Sequence, residues 1–349
     1  MGFLREGCGL ILSAILFVLI LSESGHCQWW SVARDGPYNS LQNNDSICDG
    51  MNGFTNFQKK WCKRKDSFMI FVSEGARKGI SECQYQFRNH RWNCPTFNDS
   101  SGFGKLTDWV IPDTREMAFV RAITAAGAVH SIARACQQGL LPKRRCPKPL
   151  VYSGAVLDWG ENSPYASHAS ELLQDFINSQ KRKKSSRKRQ IMNIHNNNIG
   201  RMAVVRTSQT ICECHGLKDS CDLKTCWKQV RDFRVVADEL KKAYDRAIEV
   251  EQLKNGELVA RRLMRKPTDS ELIYLQASPN YCERNAERGI LGTVGRECDV
   301  RTIGMHDCNI MCCGRGYKTT KFRVDEICNG STTGKPEICS RIDIRHECN

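Results

Sequence analysis

The chain has 349 residues, including 20 cysteines, and its 52 lysines and arginines outnumber 38 acidic residues to give a formal charge of +14. That length allows one large or two moderate domains. Outside the cell a cation this strong is drawn to sulfated glycans and anionic membrane surfaces rather than to nucleic acid.

Residues 1–27 read as a secretory signal peptide. Arg5 precedes the mostly apolar run Leu10–Leu21, and Gly25 and the polar Ser22–His26 place the cut after Cys27. The run is too short to span a bilayer of ~30 Å, which needs about 20 residues. No later segment is apolar enough to do so. Cys8 and Cys27 leave with the leader, so 18 cysteines remain, an even number that points to disulfides in an oxidising compartment. Asn44, Asn98 and Asn329 each open an Asn-x-Ser glycosylation sequon.

An N-terminal domain over 28–260 should be mainly helical. Residues 115–135 carry Ala, Val, Ile and Phe at mixed helical spacing with almost no central charge, which predicts a helix buried on most sides. Residues 167–179 show an amphipathic stripe. Residues 228–251 place Val230, Phe233, Val236, Leu240, Tyr244 and Ile248 at a helical period. Between these helices Lys181, Arg182, Lys183, Lys184, Arg187, Lys188 and Arg189 put seven like charges into nine residues, which predicts a solvated loop over 181–189 and a heparin-binding segment. From about Pro267 helical periods stop and cysteines crowd. A boundary near 255–267 would leave 261–349 as a cysteine-rich domain with too little apolar material for its own core. Disulfides worth ~2–4 kcal/mol each would replace that core.

The stretch 212–226 packs Cys212, Cys214, Cys221 and Cys226 into fifteen residues. Zinc would suit such thiols in a reducing cell but not in a secreted chain. The x, x6, x4 spacing contains no Cys-x-x-Cys redox pair. Nested spacing points to two concentric bridges, Cys214–Cys221 and Cys212–Cys226, in a stapled hairpin that presents Ser220. His215 lies close, but no Gly-x-Ser-x-Gly elbow or orienting acid supports a hydrolase. On residues alone Ser220 merely finishes a turn.

The same stretch resembles the acylation hairpin of the Wnt family, Cys-x-Cys-His-Gly-x-Ser-Gly-Ser-Cys followed by Thr-Cys-Trp. The resemblance extends along the chain through Glu82–Arg88 with Arg91–Cys94, Arg115–Phe119, Met192–Asn197, Ser278–Cys282 and Met311–Tyr317. It implies an α+β, disulfide-rich fold: a helical N-terminal domain with stapled β-hairpins and a small cystine-knot-like C-terminal domain. It also implies a secreted, non-enzymatic ligand of Wnt signalling in development, in cell fate, polarity and patterning. No metal or cofactor is expected beyond a covalent mono-unsaturated fatty acyl group on Ser220. The Porcupine acyltransferase would add it, and the Wntless carrier would escort the product. The receptor would be a Frizzled cysteine-rich domain with a low-density-lipoprotein-receptor-related co-receptor or an alternative Wnt receptor. Heparan sulfate would retain the ligand in the extracellular space and matrix. Ser220, Lys218, Asp219 and Ile338 would face the receptor.

This chain departs from the family where Lys218-Asp219 replaces Ser-Gly, where Trp159-Gly160-Glu161-Asn162 lacks a cysteine, and where Ser331–Glu337 replaces an apolar finger tip. The cysteines lost form whole pairs in the family. Those left pair completely by analogy: Cys48–Cys62, Cys83–Cys94, Cys136–Cys146, Cys212–Cys226, Cys214–Cys221, Cys282–Cys313, Cys298–Cys308, Cys312–Cys348 and Cys328–Cys339. Two other classes remain as alternatives. A secreted serine hydrolase would be labelled by an activity-based serine probe. An unlipidated heparin-binding matrix protein would be freely soluble without detergent.

Overall fold

The computed structural model describes residues 29–33, 44–51, 53–94, 113–147, 152–153, 164–180, 186–215, 223–285, 288–328 and 337–349. The helices of its N-terminal half are α1 (Asn44–Gly50), α2 (Asn56–Arg64), α3 (Asp66–Gln86), α4 (Arg115–Gln137), α5 (Pro164–Asn178), α6 (Arg187–Arg206) and α7 (Phe233–Asp245). Helix α4, expected from its uncharged middle, is the spine. Thr114 caps it by accepting from the Met117 amide, and Ala122, Ile123, Ala125, Ala126, Ala128 and Val129 are wholly buried.

Small residues on α4 let its neighbours approach backbone to backbone. A methyl group on Gly127 would collide with the Gly75 carbonyl of α3, and one on Gly75 with the Gly127 carbonyl. Gly200 of α6 is equally tight against the Ala122 carbonyl. Helix α5 buries the stripe Ala166, Ala169, Leu173, Phe176 and Ile177. The Phe176 ring packs against Trp29, Phe54 and Trp61.

Two expectations about elements are corrected. The helical period over 228–251 covers three elements: β3 (Leu223–Gln229), α7, and β4 (Ile248–Gln252). Val230 is buried just ahead of the helix and Ile248 lies in a strand. Both flanks pack inward, so they extend the apolar spacing beyond the helix itself. The alternation Ile248-Glu249-Val250-Glu251 is the strand signal that the helical period masked. Nor does the basic run stay a loop. Ser186 precedes α6, and Arg187, Lys188 and Arg189 form its first turn.

Strands β4, β5 (Leu258–Ala260) and β6 (Ile273–Tyr274) make a sheet of order β5-β4-β6 that straddles residues 255–267. Helix α6 supports its edge. The Asn196 amide donates to the Ile273 carbonyl and accepts from the Ile273 N–H, both at 2.9 Å, as a neighbouring strand would. His195 adds a hydrogen bond from Nε2 to the Glu271 carbonyl at 2.9 Å. Farther along, the buried Glu116 carboxylate accepts from Ser278 Oγ at 2.8 and 2.9 Å and from the Tyr244 hydroxyl at 3.1 Å. Beside it Phe87, Trp92, Phe119, Tyr244 and Tyr281 form one aromatic cluster. The family-like motifs at 82–94, 115–119 and 278–282 thus converge on one joint.

The remaining C-terminal residues are held by sulfur. The buried cluster there is Cys298, Cys308, Met311, Cys312 and Cys348. Bridges Cys298–Cys308 and Cys312–Cys348 lie against one another, with Cys298 Sγ 3.6 Å from Cys312 Sγ. Cys282–Cys313 fastens the preceding segment. From this knot projects a ribbon of β8 (Tyr317–Cys328) and β9 (Glu337–Cys348), paired without slip from Tyr317↔Cys348 to Cys328↔Glu337. Strand β7 (Glu297–Cys298) joins its base beside β9, giving order β7-β9-β8.

Candidate functional site

Two disulfide-stapled ribbons project from this framework, and the first is the hairpin singled out by its cysteines. Strands β2 (Gln209–His215) and β3 pair antiparallel from Gln209↔Gln229 to His215↔Leu223. Cys212 faces Cys226 directly, with Cα atoms 4.0 Å apart, and the two are bridged. Cys214 is also disulfide-bonded. Strand β1 (Tyr152–Ser153) adds a short third strand against Cys226 and Thr225.

Cys212, Glu213 and Cys214 are exposed, so this ribbon has no core of its own at that point. Its rigidity comes from the staple and from its root. There the Val230 N–H donates to Gln137 Oε1 at 3.3 Å, and Val230 itself is buried. His130 of α4 donates from Nε2 to the Arg231 carbonyl at 2.9 Å. Burial, with Lys78 adding to it, pushes the His130 pKa down to about 4, so the ring is neutral at physiological pH. The root is therefore pinned to the central helix by uncharged hydrogen bonds. Ser220, Lys218, Asp219 and Cys221 lie outside the described residues.

The second ribbon, β8–β9, shows its sides to solvent. Ile342 and Ile344 are 72% and 57% exposed and sit opposite Arg323 and Lys321. Phe322 is half-exposed under the Arg345 guanidinium, 5.0 Å away. Cys339 is disulfide-bonded. Residues 329–336, including Asn329, lie outside the described residues, as do the side chains of Cys328 and Ile338. The stem apolar residues were not anticipated. For Ile342 and Ile344 the signal was the alternation Ile342-Asp343-Ile344, which puts the two isoleucines on one face.

Of the expected bridges, Cys48–Cys62, Cys83–Cys94, Cys136–Cys146, Cys212–Cys226, Cys282–Cys313, Cys298–Cys308 and Cys312–Cys348 are all formed. Cys298, Cys312 and Cys348 converge closely enough to hold a metal, but each is already oxidised, and a disulfide sulfur has no thiolate to offer. Asn44 opens α1, while Asn98 falls outside the described residues.

The basic run divides in two. Lys181–Ser185 are outside the described residues, and Arg187 and Lys188 are exposed on the first turn of α6. Arg189 turns inward. Its guanidinium donates three bonds of 2.6, 2.8 and 2.6 Å to the Asp113 carboxylate, which is 4% exposed. Those bonds raise the Arg189 pKa above its ordinary value. Arg189 is thus an internal ion pair rather than one of the cations open to a glycan. No local signal in the sequence reveals it, because Asp113 is 76 residues away.

Among the described residues no helix is long and apolar enough to cross a membrane. Comparison with known proteins agrees with the fold and the motifs. The model of the wnt family matches residues 50–344. Protein Wnt-5 of Halocynthia roretzi is 38% identical over 96% of this chain and 96% of its own. Protein Wnt-2b-A of Xenopus laevis is 40% identical over 88% of this chain and 86% of its own. A chain of the solved complex of human WLS with WNT8A superposes with a TM-score of 0.57 at 31% identity, covering 82% of this chain and 96% of that one. Wnt proteins are signalling ligands and not enzymes, which removes the hydrolase alternative for Ser220. The chain, with its helical core, its stapled hairpin and its cystine-bound ribbon, belongs to the Wnt family.

Proposed function

We propose that this Wnt-family ligand is secreted, carries a mono-unsaturated acyl ester on Ser220, and binds the cysteine-rich domain of a Frizzled-type receptor through that lipid. The observation that carries the reading is the hairpin 212–226. Its ladder is closed by Cys212–Cys226, its root is pinned to α4, and Cys212, Glu213 and Cys214 on its described part are exposed. A serine hydroxyl can form an oxygen ester, and each methylene buried in a receptor groove would contribute ~0.8 kcal/mol. Such a lipid outweighs the contacts of a few polar side chains.

The surrounding roles follow from the same reading. Porcupine would add the acyl group. Wntless would shield it during secretion, in keeping with the likeness to the solved complex of human WLS with WNT8A. A low-density-lipoprotein-receptor-related co-receptor or an alternative Wnt receptor would complete the signalling complex. Lys181–Lys184, Arg187 and Lys188 would hold the ligand on heparan sulfate in the matrix, with glycans on Asn44, Asn98 and Asn329. The receptor-facing residues would be Ser220 with Lys218 and Asp219, and Ile338 on the second ribbon.

The test is the mass of the tryptic peptide that contains Ser220, read beside the signalling activity of Ser220→Ala. An acyl-sized mass increment on that peptide, and a variant that is secreted and folded but signals poorly, are expected. An unmodified peptide, or a variant with full activity and unchanged hydrophobicity, would overturn the reading.

A further inference from the structure

The fold brings two basic segments together that are far apart in sequence. Helix α2 ends in Lys63-Arg64 with Lys65 as its C-cap, and the 3-10 turn Lys143–Arg145 supplies Lys143, Arg144 and Arg145. Arg145 donates to Ser67 Oγ, 78 residues away. Its guanidinium lies 5.7 Å from the centre of the Phe68 ring, and Lys65 Nζ lies 6.0 Å from the same ring. The Cys136–Cys146 bridge and the bond from His168 Nε2 to the Arg145 carbonyl hold the turn in place.

Cations at the last turn of a helix have an ordinary explanation, since they complement the helix dipole. That accounts for Lys63 and Arg64. It does not account for Lys143 and Arg144, which sit on a separate element and are exposed. Lys63 pairs with Asp49 at 2.8 Å. Among the described residues no carboxylate pairs with Arg64, Lys65, Lys143 or Arg144. Like charges on neighbouring segments repel one another, with salt screening the repulsion over ~8 Å. A bound polyanion relieves that repulsion, and on an extracellular ligand the polyanion of matching chemistry is a sulfated glycan.

We propose that Arg64, Lys65, Lys143 and Arg144 form a second sulfated-glycan site, separate from the basic run at 181–188. This rests on the reading of the chain as an extracellular ligand retained by heparan sulfate. Two separate basic surfaces would let one glycan chain engage the protein at two points.

The experiment uses immobilised heparin and the full-length secreted protein. One variant carries Arg64→Gln, Lys65→Gln, Lys143→Gln and Arg144→Gln. A second replaces Lys181, Arg182, Lys183, Lys184, Arg187 and Lys188 by glutamine and keeps Arg189. A milder Lys143→Gln/Arg144→Gln protein checks that any loss is not misfolding, together with far-UV circular dichroism. The fourfold variant should lose about tenfold in heparin affinity at physiological salt, the twofold variant about threefold, and the losses of the two sets should combine. Unchanged heparin affinity in the fourfold variant, with a loss in the 181–188 variant, overturns the second site and leaves the glycan reading standing. Unchanged affinity in both sets overturns the glycan reading itself. A fourfold variant that loses binding to phosphatidylserine vesicles but not to heparin overturns the site as a glycan site and reassigns it to a membrane surface.

Discussion

Replacing Arg189 by glutamine tests whether it is a structural ion pair or one more surface cation. The Asp113 carboxylate is 4% exposed and receives three short bonds from Arg189. Its backbone is equally committed. Asp113 has φ +75, and its carbonyl accepts from the Leu275 and Gln276 amides at 2.8 and 3.1 Å. Removing one partner of a buried ion pair costs about 3–5 kcal/mol, because the other charge is left desolvated. Arg189 is 26% exposed, so water reaches the vacated space, and Arg121 remains a second cation acting on Asp113. Both reduce the loss, and about 2–3 kcal/mol is expected. Lys188→Gln, one residue away and exposed, should cost less than about 0.5 kcal/mol. Adding Asp113→Asn to Arg189→Gln should recover part of the loss, since asparagine tolerates a positive φ and leaves no unpaired charge. The assay is guanidinium unfolding of the purified protein, followed by circular dichroism, for the wild type and these variants. Equal midpoints for Arg189→Gln and Lys188→Gln would refute the reasoning and return Arg189 to the exposed basic run.

Other outcomes follow from the packing and the ribbons. Gly127→Ala should destabilise by about 1–3 kcal/mol despite its helix-propensity gain of ~1 kcal/mol, because the methyl meets the Gly75 carbonyl. Gly50→Ala, with open space around it, should be neutral or slightly stabilising, and thermal unfolding separates the two. His130 has a folded pKa of about 4 against ~6.5 unfolded, so the unfolded chain binds the proton first. Its contribution is therefore present above about pH 6.5 and lost as pH falls toward 4, by about 3 kcal/mol, and a His130→Gln variant with the same acid profile as the wild type would contradict this. Alanine substitution across Thr332–Glu337 should weaken binding to a Frizzled cysteine-rich domain far less than Ser220→Ala does, because that segment carries none of the buried aromatics that dominate interfaces. A titration in which the two lose equally would reverse the ranking.

What could be read along the chain was whatever is written locally or covalently. The run at 115–135, with almost no charge in its middle, reads as a buried helix, and Arg115–Gln137 is that helix. Nested cysteine spacing at 212–226 was enough to propose a stapled hairpin, and Cys212–Cys226 closes it. The family motifs were legible as strings, and so was the pairing that they imply. Their physical purpose was not. That Glu116 would receive Ser278, that the Asn196 amide would stand in for a strand beside Ile273, and that Arg189 would leave its basic run for Asp113 were all decided by tertiary structure. The helix at 233–245 was blurred for a related reason, since residues buried by neighbouring strands fell by chance on its period. The placing of both Lys65 and Arg145 against the Phe68 ring belongs to the same class. Periodicity reports which side of an element faces inward, but it carries no information about which distant element waits there. Contacts between residues tens of positions apart follow from how helices cross, and here those crossings are set by glycine and alanine surfaces that let backbones touch.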